Sequence, residues 1–150
     1  VIPFGWAKPV VFDPYNLKNP RRDSALISLA GPTSNLALAA VLSLVIRLAA
    51  SPFSSLGFLS VLLVPTIVLN VVLAIFNLIP IHPLDGGKIF IGLLPQKEAY
   101  EADLFLRRYG ILILFFLIFP TFGGQSPIFA VLSPVIDLIL GVLIPGNSLI

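Results

Sequence analysis

The sequence contains no cysteine and only one histidine, His82, in 150 residues. The absence of cysteine excludes disulfide bonds and thiolate metal sites, which leaves carboxylates and one imidazole as metal ligands. Charged residues are also scarce: Asp, Glu, Lys and Arg make up 11% of the chain, against roughly a quarter in average soluble domains. The formal net charge of +2 is too small to indicate a nucleic acid partner.

Apolar residues are abundant. They make up 57% of the chain, and the mean hydropathy is +1.04. The runs 25–50 and 56–79 are each long enough to cross a hydrocarbon core of about 30 Å. Shorter or interrupted apolar runs at 98–122 and 128–144 are candidates for further crossings. The predicted fold is therefore an all-α, polytopic membrane protein that lies in the lipid bilayer, with two transmembrane helices and up to four.

The first 23 residues differ from the rest of the chain. Prolines at four positions interrupt residues 1–23, and proline is excluded from the interior of most helices. Turn-forming residues at 13–16 favour a short extended segment or a hairpin. Because the chain does not start with methionine, the 150 residues are predicted to be the C-terminal part of a longer membrane domain.

The second apolar run ends in residues 77–87, Asn-Leu-Ile-Pro-Ile-His-Pro-Leu-Asp-Gly-Gly. The two prolines remove backbone donors and the two glycines permit a sharp turn, so the helix must break here, with a short helix following at 85–94. Broken helix at membrane depth is tolerated where it is buried in protein or lines a wet cavity, which is where ions and substrates bind. A carboxylate such as Asp85 would protonate there unless a cation or hydrogen-bond donors held its charge.

The basic residues indicate the orientation of the chain. Eight of the nine fall before the first apolar run or after the second, and only Arg47 lies elsewhere, near the end of the first run. Lys and Arg are enriched on the cytoplasmic side of membrane proteins. The residues near Asp85 are therefore expected to lie toward the cytoplasmic side.

Two motifs follow one another in the apolar runs. Residues 30–35, Ala-Gly-Pro-Thr-Ser-Asn, lie in the first run, and residues 77–80, Asn-Leu-Ile-Pro, come shortly before residues 84–87, Leu-Asp-Gly-Gly. Upstream lie residues 5–10, Gly-Trp-Ala-Lys-Pro-Val, and residues 19–23, Asn-Pro-Arg-Arg-Asp. From residue 4 to about residue 110, this pattern resembles the site-2 protease family of intramembrane zinc metalloproteases.

The resemblance implies a zinc ion held by two histidines of a His-Glu-x-x-His helix and by one aspartate, which maps to Asp85. It implies a catalytic role for Asn77 beside the carbonyl group under attack. The substrate would be a transmembrane helix of another membrane protein, cleaved near the cytoplasmic side of a prokaryotic cell membrane. No His-Glu-x-x-His occurs in these residues. That helix is expected upstream of Val1, and the 150 residues alone are expected to be inactive.

Other interpretations of the same residues remain open. A broken helix with Asn, His and Asp is also typical of ion and solute transporters, and a non-catalytic membrane scaffold related to the protease would keep the motifs. Asp85 could cap the short helix, and Asn77 could make an interhelical hydrogen bond. Asn35 and Asn70 are predicted to pack helices together, and His82 to line a cavity or an interface.

Three further expectations concern helix ends. Gly31-Pro32 is expected to start or kink the first helix, because Pro32 lacks a backbone donor. Asp137 is expected in the first turn of the last helix, where a carboxylate interacts favourably with the helix dipole. Arg47 is expected to extend along the apolar surface to the outer face of the membrane.

Overall fold

The computed structural model describes residues 19–49, 59–120, 124 and 126–144. Within these ranges the chain forms helices and turns and no strand, which confirms the all-α prediction. The helices of this part are α1 Pro20–Ala49, α2 Leu59–Asn77, α3 Asp85–Leu93, α4 Gln96–Ile118 and α5 Pro127–Leu143. Residues 1–18 of the predicted extended segment lie outside the described residues, and residues 20–23 belong to the first turn of α1.

The helix α1 begins before the predicted apolar run because Asn19 and Asp23 close its first turn. The Asn19 N–H donates to Asp23 Oδ2 at 3.0 Å, and the Asp23 N–H donates to the Asn19 carbonyl at 2.9 Å. The helix continues through Pro32, so the prediction that it starts there is wrong. Pro32 is fully buried, and the packing of α1 against α2 and α3 compensates for the backbone hydrogen bond that proline removes.

The apolar core joins α1, α2 and α5. Ile67 and Val71 of α2 are fully buried at its centre. The second half of α1 and one stripe of α5 pack against them, through Ala39, Ile46, Ile136, Leu140 and Ile144. The stripe on α5 has a spacing of four residues, as expected for one face of a helix.

The short helix α3 runs back along the first part of α1. Its first residue, Asp85, lies beside Gly31, and seven residues later a Cβ atom at Gly92 would lie 2.4 Å from the Ala25 Cβ. Position 85 therefore pairs with position 31, and position 92 pairs with position 25, so the two helices are antiparallel. The absence of a side chain at Gly92 permits this close approach.

The helix ends show the path of the chain from α4 to α5. Gln96, the first residue of α4, lines a cavity together with residues 19–22 at the start of α1. At the other end of α1, Ser43 Oγ donates to the Leu143 carbonyl and Arg47 Nη2 donates to the Val142 carbonyl at 2.5 Å. Hence α4 begins beside the start of α1, and α5 ends beside its end. Arg47 binds the C-terminal carbonyls of α5 rather than only extending to the surface.

Two helices of the described part, α1 and α2, are long and apolar enough to cross a membrane, and they correspond to the two predicted spans. Separate crossings by α4 and α5 are not confirmed. The first half of α4 is charged, and α5 has only 17 residues. Asp137 is exposed in the middle of α5, so its predicted place in a first turn is wrong. The helix begins at Pro127 and runs through Pro134.

Candidate active site

The corner between α2 and α3, residues 78–84, is a compact turn. The Ile81 N–H donates to the Ile79 carbonyl at 2.7 Å, and the Leu84 N–H donates to the Ile81 carbonyl at 2.9 Å. These bonds use backbone groups that the broken helix leaves without partners. The helix α2 ends at Asn77, two residues before the predicted end of the run at 79, and α3 spans Asp85–Leu93 where a short helix over 85–94 was predicted.

Gly86 allows the start of α3 to lie directly on the end of α2. A Cβ atom at this position would lie 2.2 Å from the Ile79 carbonyl oxygen and 2.3 Å from that of Leu78. No side chain can occupy that space, because real Cβ atoms do not approach backbone oxygens so closely. Since Gly86 follows Asp85 and Leu78 follows Asn77, this contact brings the two predicted site residues to opposite sides of one corner.

Asp85 is half-buried, and its carboxylate lies against α1. Its Oδ2 atom is 3.4 Å from the position that a Cβ atom would take at Gly31. The carboxylate makes no hydrogen bond or ion pair with any other described residue. It also does not cap α3, whose N-cap position is Leu84 and whose first turn has no side-chain cap, so the capping interpretation is wrong. A half-buried carboxylate without partners is costly unless a cation binds it.

Asn77 is the last residue of α2 and is half-buried. Its Nδ2 atom donates to the Leu73 carbonyl, one turn earlier, at 2.9 Å. This bond lies within α2, so the predicted interhelical bond is not the one that forms. Asn70, on the same stripe, is buried, and its Nδ2 likewise donates within the helix, to the Thr66 carbonyl at 2.8 Å.

His82 lies on a different side of the corner from the Asp85 carboxylate. It packs against α4, where a Cβ atom at Gly110 would lie 3.1 Å from the His82 Cβ and 2.5 Å from its carbonyl oxygen. The Nδ1 atom is buried and has no hydrogen-bond partner. Burial lowers the pKa of the imidazole below its ordinary value of 6.5, and the charge of Arg107 lowers it further. His82 thus packs where the corner meets α4.

Sequence reasoning missed two residues that shape the site. Gly31 was considered as a helix-breaking neighbour of Pro32 and as part of the 30–35 motif, but not as the residue that the Asp85 carboxylate lies against. Gly110 received no role, although it admits His82 against α4. A glycine in the interior of a long apolar helix costs about 1 kcal/mol relative to alanine, and that cost was the available signal of a close contact.

Comparisons with known proteins match this part of the chain. The model of peptidase family M50 matches residues 42–119, which include both sides of the corner. The chain belongs to peptidase family M50. This confirms the resemblance to site-2 proteases, and the family consists of membrane-embedded, zinc-dependent peptidases.

A relative from Bacillus subtilis (strain 168), named "Putative zinc metalloprotease YwhC", is 38% identical over 116 residues. The alignment covers 69% of this chain and 53% of the relative, so the chain spans about half the length of the curated M50 relative it matches. No solved structure matches the chain.

Proposed function

We propose that this chain is part of an intramembrane zinc metalloprotease that hydrolyses peptide bonds within or near transmembrane segments of membrane proteins. The observation that carries the proposal is the half-buried carboxylate of Asp85, which lies without a partner among the described residues at the corner of a broken apolar helix. The M50 match over this segment supports a peptidase rather than an ion or solute transporter.

Asp85 fits the role of one zinc ligand, since carboxylate oxygens bind zinc in catalytic sites that keep one coordination position open. The described residues contain no group of three side chains that could hold a metal ion. In this proposal the other ligands and the general base come from a His-Glu-x-x-His helix outside the 150 residues. When bound, zinc would polarise the substrate carbonyl and lower the pKa of a bound water to about 7.

Asn77 would act as a hydrogen-bond donor to the substrate. Its amide nitrogen carries two hydrogens, and the Leu73 carbonyl accepts one of them. The second is available to a carbonyl oxygen placed in the corner. The bond to Leu73 fixes the amide, and a fixed donor aimed at a developing negative charge stabilises it more than a mobile one.

The depth of the corner agrees with cleavage inside the membrane. Gly31, which faces Asp85, follows Pro20 by eleven residues, or about 16 Å along the axis of α1. With the start of α1 on the cytoplasmic side, as the distribution of basic residues favours, cleavage would occur in that half of the bilayer. The broken backbone at residues 78–84 would line the path by which water reaches the zinc ion.

Zinc content and proteolysis of the full-length protein test the proposal. We expect Asp85→Ala and Asp85→Asn to lose most bound zinc and all cleavage of a transmembrane substrate, because each removes a charged ligand. Asp137→Ala is the matched control, since Asp137 is an exposed carboxylate in α5, and it should keep both properties. Equal zinc in the Asp85 variants and the wild type would rule out the ligand assignment. A folded full-length protein that never binds zinc would favour the non-catalytic scaffold.

A further inference from the structure

A second site lies at the start of α1, away from the corner. A cavity of about 300 Å³ is lined by Asn19, Pro20, Arg21, Arg22 and Gln96. The start of α4 thus lies beside the first turn of α1, which carries the two arginines. Asp85 lies beside Gly31, which is about 16 Å from Pro20 along the axis of α1. This cavity is therefore separate from the proposed zinc site.

The two arginines of this cavity have no acidic partner in the part of the chain that the structure describes. Neither guanidinium group forms an ion pair with a carboxylate of the described residues. The neighbouring acid, Asp23, has one oxygen engaged with the Asn19 N–H. Arg107, by contrast, is bound to Asp103 at 2.9 Å. Arg21 and Arg22 therefore keep their full donor capacity, and planar guanidinium groups match the oxygens of a phosphate.

We propose that this cavity binds the phosphate of an anionic phospholipid headgroup. The start of α1 lies at a membrane surface, because α1 itself is one of the two helices apolar enough to span. Basic pockets between transmembrane helices on the cytoplasmic side are typical sites for anionic lipids. The inference depends on the membrane position of α1 and not on the proposed protease activity.

The surface next to the arginines favours a lipid over free phosphate. Leu26 follows Arg22 by four residues and so lies on the same face of α1, where it is 65% exposed. Leu104 follows Gln96 by eight residues, about two turns along α4, and is 52% exposed. A headgroup in the cavity would place its acyl chains along such apolar side chains, whereas inorganic phosphate would use only the guanidinium groups.

Native mass spectrometry of the full-length protein in detergent tests the site. The wild type should retain phosphatidylglycerol under conditions that remove phosphatidylcholine. Arg21→Gln/Arg22→Gln should weaken phosphatidylglycerol binding about 30-fold, because each basic residue near a membrane surface contributes to the binding of anionic lipid and the variant loses two of them. The control, Arg107→Gln/Arg108→Gln, removes two positive charges outside the cavity and should change binding less than about threefold. Equal losses in the two double variants would overturn the site.

Two further measurements separate the sources of the phosphate and guard against misfolding. Millimolar inorganic phosphate should leave phosphatidylglycerol bound, and full displacement would show a site for free phosphate instead. Arg21→Lys/Arg22→Lys keeps the charge and should recover part of the binding lost in the glutamine variant. If that glutamine variant fails to fold, retention by the wild type should still fall as salt is raised. Retention that is independent of salt would overturn the proposal.

Discussion

Gly31 controls the space in front of the Asp85 carboxylate. A Cβ atom there would lie 3.4 Å from Oδ2, which is an ordinary van der Waals contact. We therefore expect Gly31→Ala to keep the zinc content of the full-length protein and to raise helix stability slightly. Gly31→Leu should lose most bound zinc, because the larger side chain must displace the carboxylate.

The control for Gly31→Leu is Gly141→Leu. Gly141 is also a helical glycine, but no atom lies within 4 Å of its Cβ position. The Gly141 variant should therefore bind zinc as the wild type does. If Gly31→Leu also binds zinc normally, the carboxylate does not need the position in which it lies beside α1, and its assignment as a ligand becomes doubtful.

The buried imidazole of His82 should make stability depend on pH. Burial, followed by the charge of Arg107, lowers its pKa in the folded protein below 6.5, while Asp103 acts in the opposite direction. Below that pH the unfolded chain binds more protons than the folded one, so stability falls as pH decreases and levels off above about pH 7. We expect the melting temperature to decrease between about pH 7 and pH 5.

The variant His82→Gln tests this origin of the pH dependence. Glutamine retains a polar side chain of similar size but has no proton to gain in this range. The decrease in melting temperature should be smaller in the variant than in the wild type. Parallel curves for the two proteins would assign the effect to other groups.

Individual residues were predictable from the sequence where a local cost identified them. Asp85 stood out because a carboxylate at the end of an apolar run needs a partner, and the structure places it at the predicted corner. Which partner a side chain meets depended on packing that the sequence does not specify. The bond from Arg47 to the end of α5 was therefore not predicted, and the alternative interhelical bond of Asn77 is replaced by a bond within α2.

Among the helices, the junction of α2 and α3 should be the most sensitive to a single methyl group. Gly86→Ala would place a Cβ atom 2.2 Å from the Ile79 carbonyl oxygen, and backbone cannot move aside as a flexible side chain can. We expect a loss of about 1–3 kcal/mol of unfolding free energy, measured by thermal or denaturant unfolding. Asp85 should also shift, which would reduce zinc binding.

The matched control at this scale is Gly141→Ala. The same methyl group enters open space there, so the helix propensity of alanine should leave stability unchanged or raise it by up to about 1 kcal/mol. Equal effects of the two substitutions would show that the close contact at Gly86 is not a constraint on the fold.

Helix boundaries followed the sequence closely where breakers were clear. The break between α2 and α3 was predicted from its prolines and glycines: α2 ends at Asn77, two residues before the predicted bound of 79, and α3 starts at Asp85. The start of α1 was placed too late, because the apolar run hid a turn closed by Asn19 and Asp23. The start of α5 was placed one residue late, and Asp137 was expected in a first turn although the helix begins ten residues earlier, at Pro127, and runs through Pro134.

The number of membrane crossings is a property of the whole molecule, and the sequence predicted only a range, from two to four. Apolar runs give the lengths of helices but not which ends meet. In the structure, α4 starts beside the start of α1, and α5 ends at Ser43 and Arg47 near the end of α1. If α4 and α5 each crossed the bilayer, α5 would end on the side where α1 starts. The contacts therefore favour one passage made by α4 and α5 in series.

Labelling of single cysteines in the full-length protein tests this path. The 150 residues themselves contain no native cysteine. Leu48 and Val142 are exposed near the ends of α1 and α5, and Lys97 is exposed at the start of α4. With a membrane-impermeant thiol reagent, Leu48→Cys and Val142→Cys should react from the same side and Lys97→Cys from the opposite side. If α4 and α5 cross separately, Val142→Cys will instead react from the same side as Lys97→Cys. That result would be incompatible with the hydrogen bonds from Ser43 and Arg47 to the end of α5, because both residues lie at the Leu48 end of α1.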